Sequence, residues 1–299
     1  MSLHVPVALV PGVEKAVLAP VEVVRLRGLM SRTAGSAAVR IGLIDGPVHA
    51  GHAGFGAGRL EALTDAAVCG SSDSVACQHG TFVAGILHAQ RSGDTPGICP
   101  ECPIVVRPIF AESVAGAWPS CRPEDLAAAI TDCVRAGVRL LNLSVGVLHA
   151  RPGGEAALTQ ALDDAARRGV LVVAASGNQG AVGGSVLVRH PGVIPVVAAG
   201  ADGHVASLST LGSSIGQHGL AAPGEAIESL SSLGGTRRFD GTSAAAPFVT
   251  GAAALLWSLF PRAPVAAIRN ALTQRTGRRR SIVPPLLDAQ QAWDRLRAT

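Results

Sequence analysis

A serine hydroxyl is a poor nucleophile at neutral pH and attacks a carbonyl only when a neighbouring base takes its proton. The segment Gly241-Thr242-Ser243-Ala244-Ala245-Ala246-Pro247 sets such a hydroxyl where a turn of small residues runs into an apolar helix, Phe248 to Phe260. His79 offers an imidazole, whose ordinary pKa of about 6.5 suits a group that must accept the proton and then return it. Asp45 closes the apolar run Val39-Arg40-Ile41-Gly42-Leu43-Ile44. A buried carboxylate there would fix the imidazole tautomer and stabilise the imidazolium. Taken singly, Ser243 reads as a helix N-cap, His79 as a structural polar residue and Asp45 as a turn former. Taken together they make a nucleophile, a general base and an orienting acid.

Groups so far apart in the chain need a scaffold that brings them together. Runs of Val, Ile, Leu and Ala at 39–45, 104–110, 139–145, 170–176 and 193–199 lack the alternation of a half-exposed strand, so strands covered on both faces are expected. Helices are expected at 79–90, 123–136, 155–168, 242–259 and 264–274. Arg135-Ala136-Gly137-Val138 and Arg167-Arg168-Gly169-Val170 share one grammar: basic residues and a glycine end a helix, and a strand begins. Two such joints in succession argue for βαβ units and a parallel sheet. Sites in such sheets form beyond the carboxyl ends of the strands, where Asp45, Ser144 and Asn178 all fall.

The three motifs, in the order Asp, His, Ser, resemble the subtilase family of serine peptidases, and the likeness covers about residues 39–260. It implies a three-layer subtilisin-like α/β fold, with a mainly parallel, about seven-stranded sheet and helices on both faces. Ala174-Ala175-Ser176-Gly177-Asn178 matches the family stretch that carries an oxyanion asparagine. Asn178 would then donate its amide to the developing oxyanion beside the Ser243 N–H; the plainer reading is an asparagine in a left-handed turn. Asn142-Leu143-Ser144-Val145-Gly146 resembles the family's edge strand, to which a peptide substrate adds in antiparallel fashion. Ser144, Val145 and Gly146 would thus bind substrate backbone, and Gly177 would let it approach closely. Phe82 stands where many members carry a second histidine, and Ala244 where methionine is common. Gly46-Pro47 replaces the usual Thr or Ser after the acid, which removes a hydroxyl that could support Asp45.

Ile44-Asp45-Gly46-Pro47-Val48 looks like the PatA-type maturation proteases of cyanobactin and related peptide pathways. Gln78 to Leu87, Gly97-Ile98-Cys99-Pro100 and Gln217 to Glu225 resemble the same group. The likeness implies cleavage of a ribosomal precursor peptide near its leader–core boundary. A broad degradative subtilase and a non-catalytic peptidase-fold binding protein are the rival readings.

Of 299 residues, 48% are hydrophobic and 15% charged, enough for a large core and too apolar for a disordered chain. Residues 1–37 read as an N-terminal arm packed on a catalytic domain, 38–299. Tyrosine is absent and aromatics are scarce, so single-stranded nucleic acid would find few stacking platforms. Arg275 and Arg278-Arg279-Arg280 read as a solvated helix end, and no nucleic-acid partner is expected. No secretion signal and no membrane span are evident, so a cytoplasmic enzyme acting on a peptide is expected. No cofactor is required. Structural calcium, found in many subtilases, is not favoured, since 89–95 offers only Asp94 as a carboxylate. Cys99 and Cys102 form a C-x-x-C without the second pair that zinc would want. A Cys69–Cys77 bridge would clip the segment before His79. Cys121 and Cys133 bracket a helix too long to bridge, and Cys133 is expected to approach Cys99 or Cys102.

Overall fold

The computed structural model describes residues 19–56, 60–112, 121–145, 152–273 and 281–298. Two short helices, α1 (Pro20–Val23) and α2 (Arg27–Met30), precede β1 (Ile41–Asp45). The chain continues through β2 (Leu60–Ala62), α3 (Val75–His88), β3 (Ile104–Pro108), α4 (Pro123–Arg135), β4 (Leu140–Leu143) and α5 (Pro152–Arg167). It then forms β5 (Leu171–Ala175), α6 (Val186–Arg189), β6 (Val193–Ala199), α7 (Ser213–His218) and β7 (Leu220–Pro223). A hairpin of β8 (Ile227–Leu230) and β9 (Thr236–Phe239) leads into α8 (Thr242–Leu259), and α9 (Val265–Thr273) and α10 (Ala289–Arg297) follow.

Seven strands make one sheet in the order β2-β3-β1-β4-β5-β6-β7, with every neighbouring pair parallel. The fold is the α/β subtilisin-like sheet expected. The inner strands β1, β4, β5 and β6 are buried along their whole length, and successive residues point to opposite faces. Leu171 and Val173 join the core shared with α3 and α8, whereas Val172 and Ala174 join the core shared with α4 and α5. Helices therefore cover both faces. The described part of the N-terminal arm belongs to the first of these cores through Val24, Leu26 and Leu29; residues 1–18 lie outside the described residues.

Helix α8 is the central core element. It is long and apolar enough to cross a membrane by length and composition, yet most of it is buried inside the protein. Its first residues lie beyond the carboxyl ends of the strands, and the first turns of α3 meet the segment just past β1. Helix α3 starts at Val75, four residues before the start read from the sequence, because the Ser74 side chain accepts from the Cys77 N–H and caps it.

Strand β1 and α3 meet backbone to backbone. A Cβ on Gly46 would lie 2.0 Å from the Ala76 carbonyl oxygen, and one on Gly80 would lie 2.4 Å from that of Pro47. Neither position has room for any side chain, so the missing hydroxyl after Asp45 has a steric cause. Gly80→Ala should force the two segments apart at a cost of about 1–3 kcal/mol. Urea denaturation should show a lower midpoint at unchanged slope; a midpoint equal to wild type would contradict this contact.

Candidate active site

The loop closing β1, the first turns of α3 and the first turn of α8 bring the three sequence-derived groups together. Asp45 is fully buried, His79 nearly so, and Ser243 half-buried. His79 Nδ1 donates to Asp45 Oδ1 at 2.6 Å, and His79 Nε2 lies 2.9 Å from Ser243 Oγ. With the Nδ1 proton held by the carboxylate, Nε2 is the acceptor for the serine O–H. The arrangement can move a proton off Ser243 while a carboxylate stabilises the resulting imidazolium.

Asp45 Oδ1 also accepts from the Gly46 N–H at 2.6 Å. Its Oδ2 is buried with no hydrogen-bond partner among the described residues, which is the consequence of glycine at 46. Burial is the strongest single influence on His79 and works against its charged form. The Asp45 charge and hydrogen bond together outweigh it, Arg237 opposes them, and the His79 pKa stands above its ordinary 6.5.

Ser243 is not the helix cap. Gly241, at φ 146°, holds the N-cap position, which leaves Ser243 second in the helix with its hydroxyl directed to His79. Pro247 lies inside α8 and has no N–H to give the carbonyl four residues earlier, that of Ser243. The Ser144 hydroxyl donates to that carbonyl at 3.0 Å. Behind it, the Asn142 amide donates to Ser144 Oγ and Thr250 Oγ1 donates to Asn142 Oδ1, each at 2.8 Å. This file of buried polar groups ties the turn that carries Ser243 to the end of β4. Sequence reading missed the part played by Asn142 and Thr250; a proline four residues after the nucleophile was the available signal.

A model of the subtilase family, peptidase S8, matches residues 36–293. The chain belongs to the subtilase family. Subtilisin DY from Bacillus licheniformis is 30% identical over 248 residues, spanning 79% of this chain and 82% of the relative. Subtilisin Savinase from Lederbergia lenta is 35% identical over 195 residues, or 65% and 68% of the two chains. Among solved structures, a serine-to-alanine variant of the protease domain of PatA superposes with a TM-score of 0.79 at 33% identity, covering 88% of this chain and 97% of that one. The prenylagaramide maturation protease PagA gives 0.79 at 29% identity, covering 91% and 98%. This subtilase is thus a serine protease whose structural neighbours include peptide-maturation proteases.

The remaining sequence-derived residues of the subtilase divide. Asn178 is exposed and sits against the first turn of α8; its Oδ1 accepts from the Thr242 N–H and hydroxyl, both at 2.9 Å. That orientation leaves Nδ2 without a protein acceptor among the described residues. Gly177, at φ 107°, could not be replaced without strain. Its N–H donates to Thr242 Oγ1 and its carbonyl accepts from the Thr210 N–H. Ser144 and Val145 follow the end of β4, which is not the edge strand expected but lies between β1 and β5 in the middle of the sheet, and both side chains are buried. Their main-chain groups have no main-chain partner among the described residues. Gly146 lies outside the described residues, as do Arg275 and Arg278 to Arg280.

Phe82 is buried and packs edge-on against Phe239 of β9, 4.9 Å between centroids, and Phe239 also meets the His79 ring at 6.1 Å. Cys69 and Cys77 form a disulfide just ahead of His79. With Glu112 they are the one group of metal-ligating type in close proximity among the described residues. The two thiols are spent on each other, and Glu112 accepts from Gly70 N–H, Ser71 N–H and Ser74 Oγ, so the group is explained without an ion. Cys99, Cys102, Cys121 and Cys133 are buried and take part in no disulfide. The expected approach of Cys133 to Cys99 or Cys102 is corrected: Cys133 lies in the core under α4, Cys99 and Cys102 in the opposite core. The segment 97–102 runs beneath the α3 side of the sheet, where Glu101 N–H donates to the Ala34 carbonyl. Burial pushes Cys121 up to about 11 and Cys133 up to about 12, so both stay thiols.

Two expectations follow from this geometry. In NMR titration the His79 imidazolium should persist above pH 6.5; Asp45→Asn should pull its midpoint down, and Arg237→Met should push it up. A midpoint below 6.5 in the wild type would contradict the balance described. Thr250→Val, isosteric but without a donor, strands the buried Asn142 Oδ1 and should cost about 1–3 kcal/mol in denaturation experiments.

Proposed function

We propose that this subtilase hydrolyses peptide bonds through an acyl-enzyme on Ser243. Attack by Oγ on the scissile carbonyl proceeds as His79 takes the hydroxyl proton, with Asp45 holding the imidazole in the required tautomer. The tetrahedral oxyanion forms between the Ser243 N–H, near the positive end of α8, and Asn178 Nδ2. His79 then protonates the leaving amine, and water repeats the sequence to release the acid. The observation that carries this reading is the continuous hydrogen-bonded line Asp45–His79–Ser243, each ring nitrogen on a different partner. The acyl half of the peptide lies extended along Ser144 and Val145, whose main-chain groups have no main-chain partner among the described residues, and pairs there as an added strand that continues to Gly146.

The substrate is a ribosomal precursor peptide cut near its leader–core boundary. Supporting this are the maturation proteases PatA and PagA among the neighbours and the Asp45-Gly46-Pro47 segment. The degradative alternative is favoured by the subtilisins among the relatives. A fluorophosphonate should label the wild type and leave Ser243→Ala unlabelled, and that variant should lose turnover by about 10⁶-fold, as when such a nucleophile is removed elsewhere. Equal labelling of the two proteins would remove Ser243 from its role and leave a binding protein. Digestion of a peptide library should yield few cleaved sequences; uniform cutting of unrelated unfolded proteins would favour the degradative enzyme.

A further inference from the structure

We propose that Arg237 selects an acidic side chain, Asp or Glu, in the first two residues of the departing peptide segment, a reading that rests on the acyl-transfer chemistry proposed above. Strands β8 and β9 are antiparallel, with Ile227 opposite Phe239 and Ser229 opposite Arg237. Residues two apart share a face, and Ile227 and Ser229 are buried. Arg237 therefore stands on the inner face of the hairpin, a position that its neighbours fill with core or core-contacting groups. On the outer face, Arg238 and Thr236 both engage Glu228. The inner arginine has no such partner: among the described residues no carboxylate pairs with it, and its Nε is buried without an acceptor. Its guanidinium lies 4.1 Å from the centroid of Phe239.

The position of this cation matters because Phe239 packs on His79. His79 delivers the proton to the leaving amine, so whatever flanks the imidazole meets the segment that carries that amine. Phe239 offers that segment an apolar surface, and Arg237, stacked on the ring, offers a planar fork suited to a carboxylate. A half-buried cation without a counter-ion bears a desolvation cost that an arriving carboxylate offsets. The same carboxylate relieves the repulsion between Arg237 and the imidazolium that forms during attack. Acidic character near the new amino terminus should therefore raise kcat and not merely lower KM.

Aminolysis tests this without knowing the acyl-side sequence. p-Nitrophenyl acetate acylates Ser243 with release of p-nitrophenol. A dipeptide amide then competes with water for the acyl group. Its amine attacks the ester carbonyl, the C–N bond forms, the bond to Oγ breaks, and His79 passes the amine proton to Oγ. By microscopic reversibility the amine occupies the place of the leaving segment. Partitioning should favour Glu-Gly amide over Gln-Gly amide by about fivefold, the ratio for one partly exposed charge pair, and the ratio should shrink as salt is added.

In Arg237→Met the ratio should fall to one. Arg237→Glu should prefer Lys-Gly amide, and Arg237→Lys should keep the wild-type sign. Burst amplitude reports the active fraction of each variant. A normal wild-type burst with no preference, or a preference that survives in Arg237→Met, overturns the role of Arg237 alone. A burst that is absent, or that persists in Ser243→Ala, overturns the acyl-enzyme reading and this proposal with it.

Discussion

The site depends on how one carbonyl is satisfied. Pro247 removes the helical donor that Ser243 would otherwise receive, and an unpaired main-chain carbonyl inside a protein is costly. Ser144 supplies the missing bond, and Asn142 and Thr250 fix the direction in which Ser144 donates. Because Thr250 lies in α8 and Asn142 in β4, the bond couples the turn that carries Ser243 to the centre of the sheet, not to a surface loop. The hydroxyl of Ser243 is then aimed by main-chain geometry, with no cap of its own to compete with His79.

The other half of the site is fixed by close approach of backbones. Gly46 and Gly80 let the end of β1 and the first turns of α3 touch without side chains between them, so Asp45 and His79 meet at 2.6 Å. The contact has a consequence for the acid. Glycine at 46 supplies an N–H to Oδ1 but no hydroxyl to Oδ2, which is buried and has no partner among the described residues. A buried carboxylate oxygen without a donor is destabilising, and the imidazole proton and the Gly46 N–H are what hold Asp45 in place. Precise placement of the pair thus comes at the expense of full solvation of the acid.

The sequence made the buried parts of this molecule legible and its margins not. Strands such as 193–199 and the helix 242–259 were readable because burial on all sides leaves unbroken apolar runs. Edge strands β2 and β7 have only three and four residues, too few for any periodicity to register. The β8–β9 hairpin escaped notice because its inner face mixes Ser229 and Arg237 with Ile227 and Phe239, so its alternation is not one of apolar against polar. The misplacement of Cys133 has a related origin. Chain order correctly puts it near one end of the sheet, but nothing local says on which face the segment 97–102 runs. Asp45, His79 and Ser243 were read from flanking motifs, whereas Asn142 and Thr250 act through hydrogen-bond direction, and their trace in the sequence is the indirect one of Pro247, which leaves the Ser243 carbonyl in need of a donor.

These two modes of construction divide the site by tolerance to change. Around Asp45, His79 and Ser243 the contacts are main chain to main chain or between buried hydrogen-bonded polar groups, and little can be altered without moving the three side chains. The hairpin beside His79 is attached differently, through the Phe82–Phe239 ring contact and the Ser229 bond to the Phe82 carbonyl. Phe82 stands where a second histidine is frequent in the family, and that exchange gives Phe239 an apolar partner on which to rest. Once Phe239 is seated, the residue two before it shares its face, and here Arg237 lies against the ring that packs on the imidazole. The hairpin can therefore change the charge presented to a peptide while the reacting groups stay fixed, and in this chain the group it presents is a guanidinium.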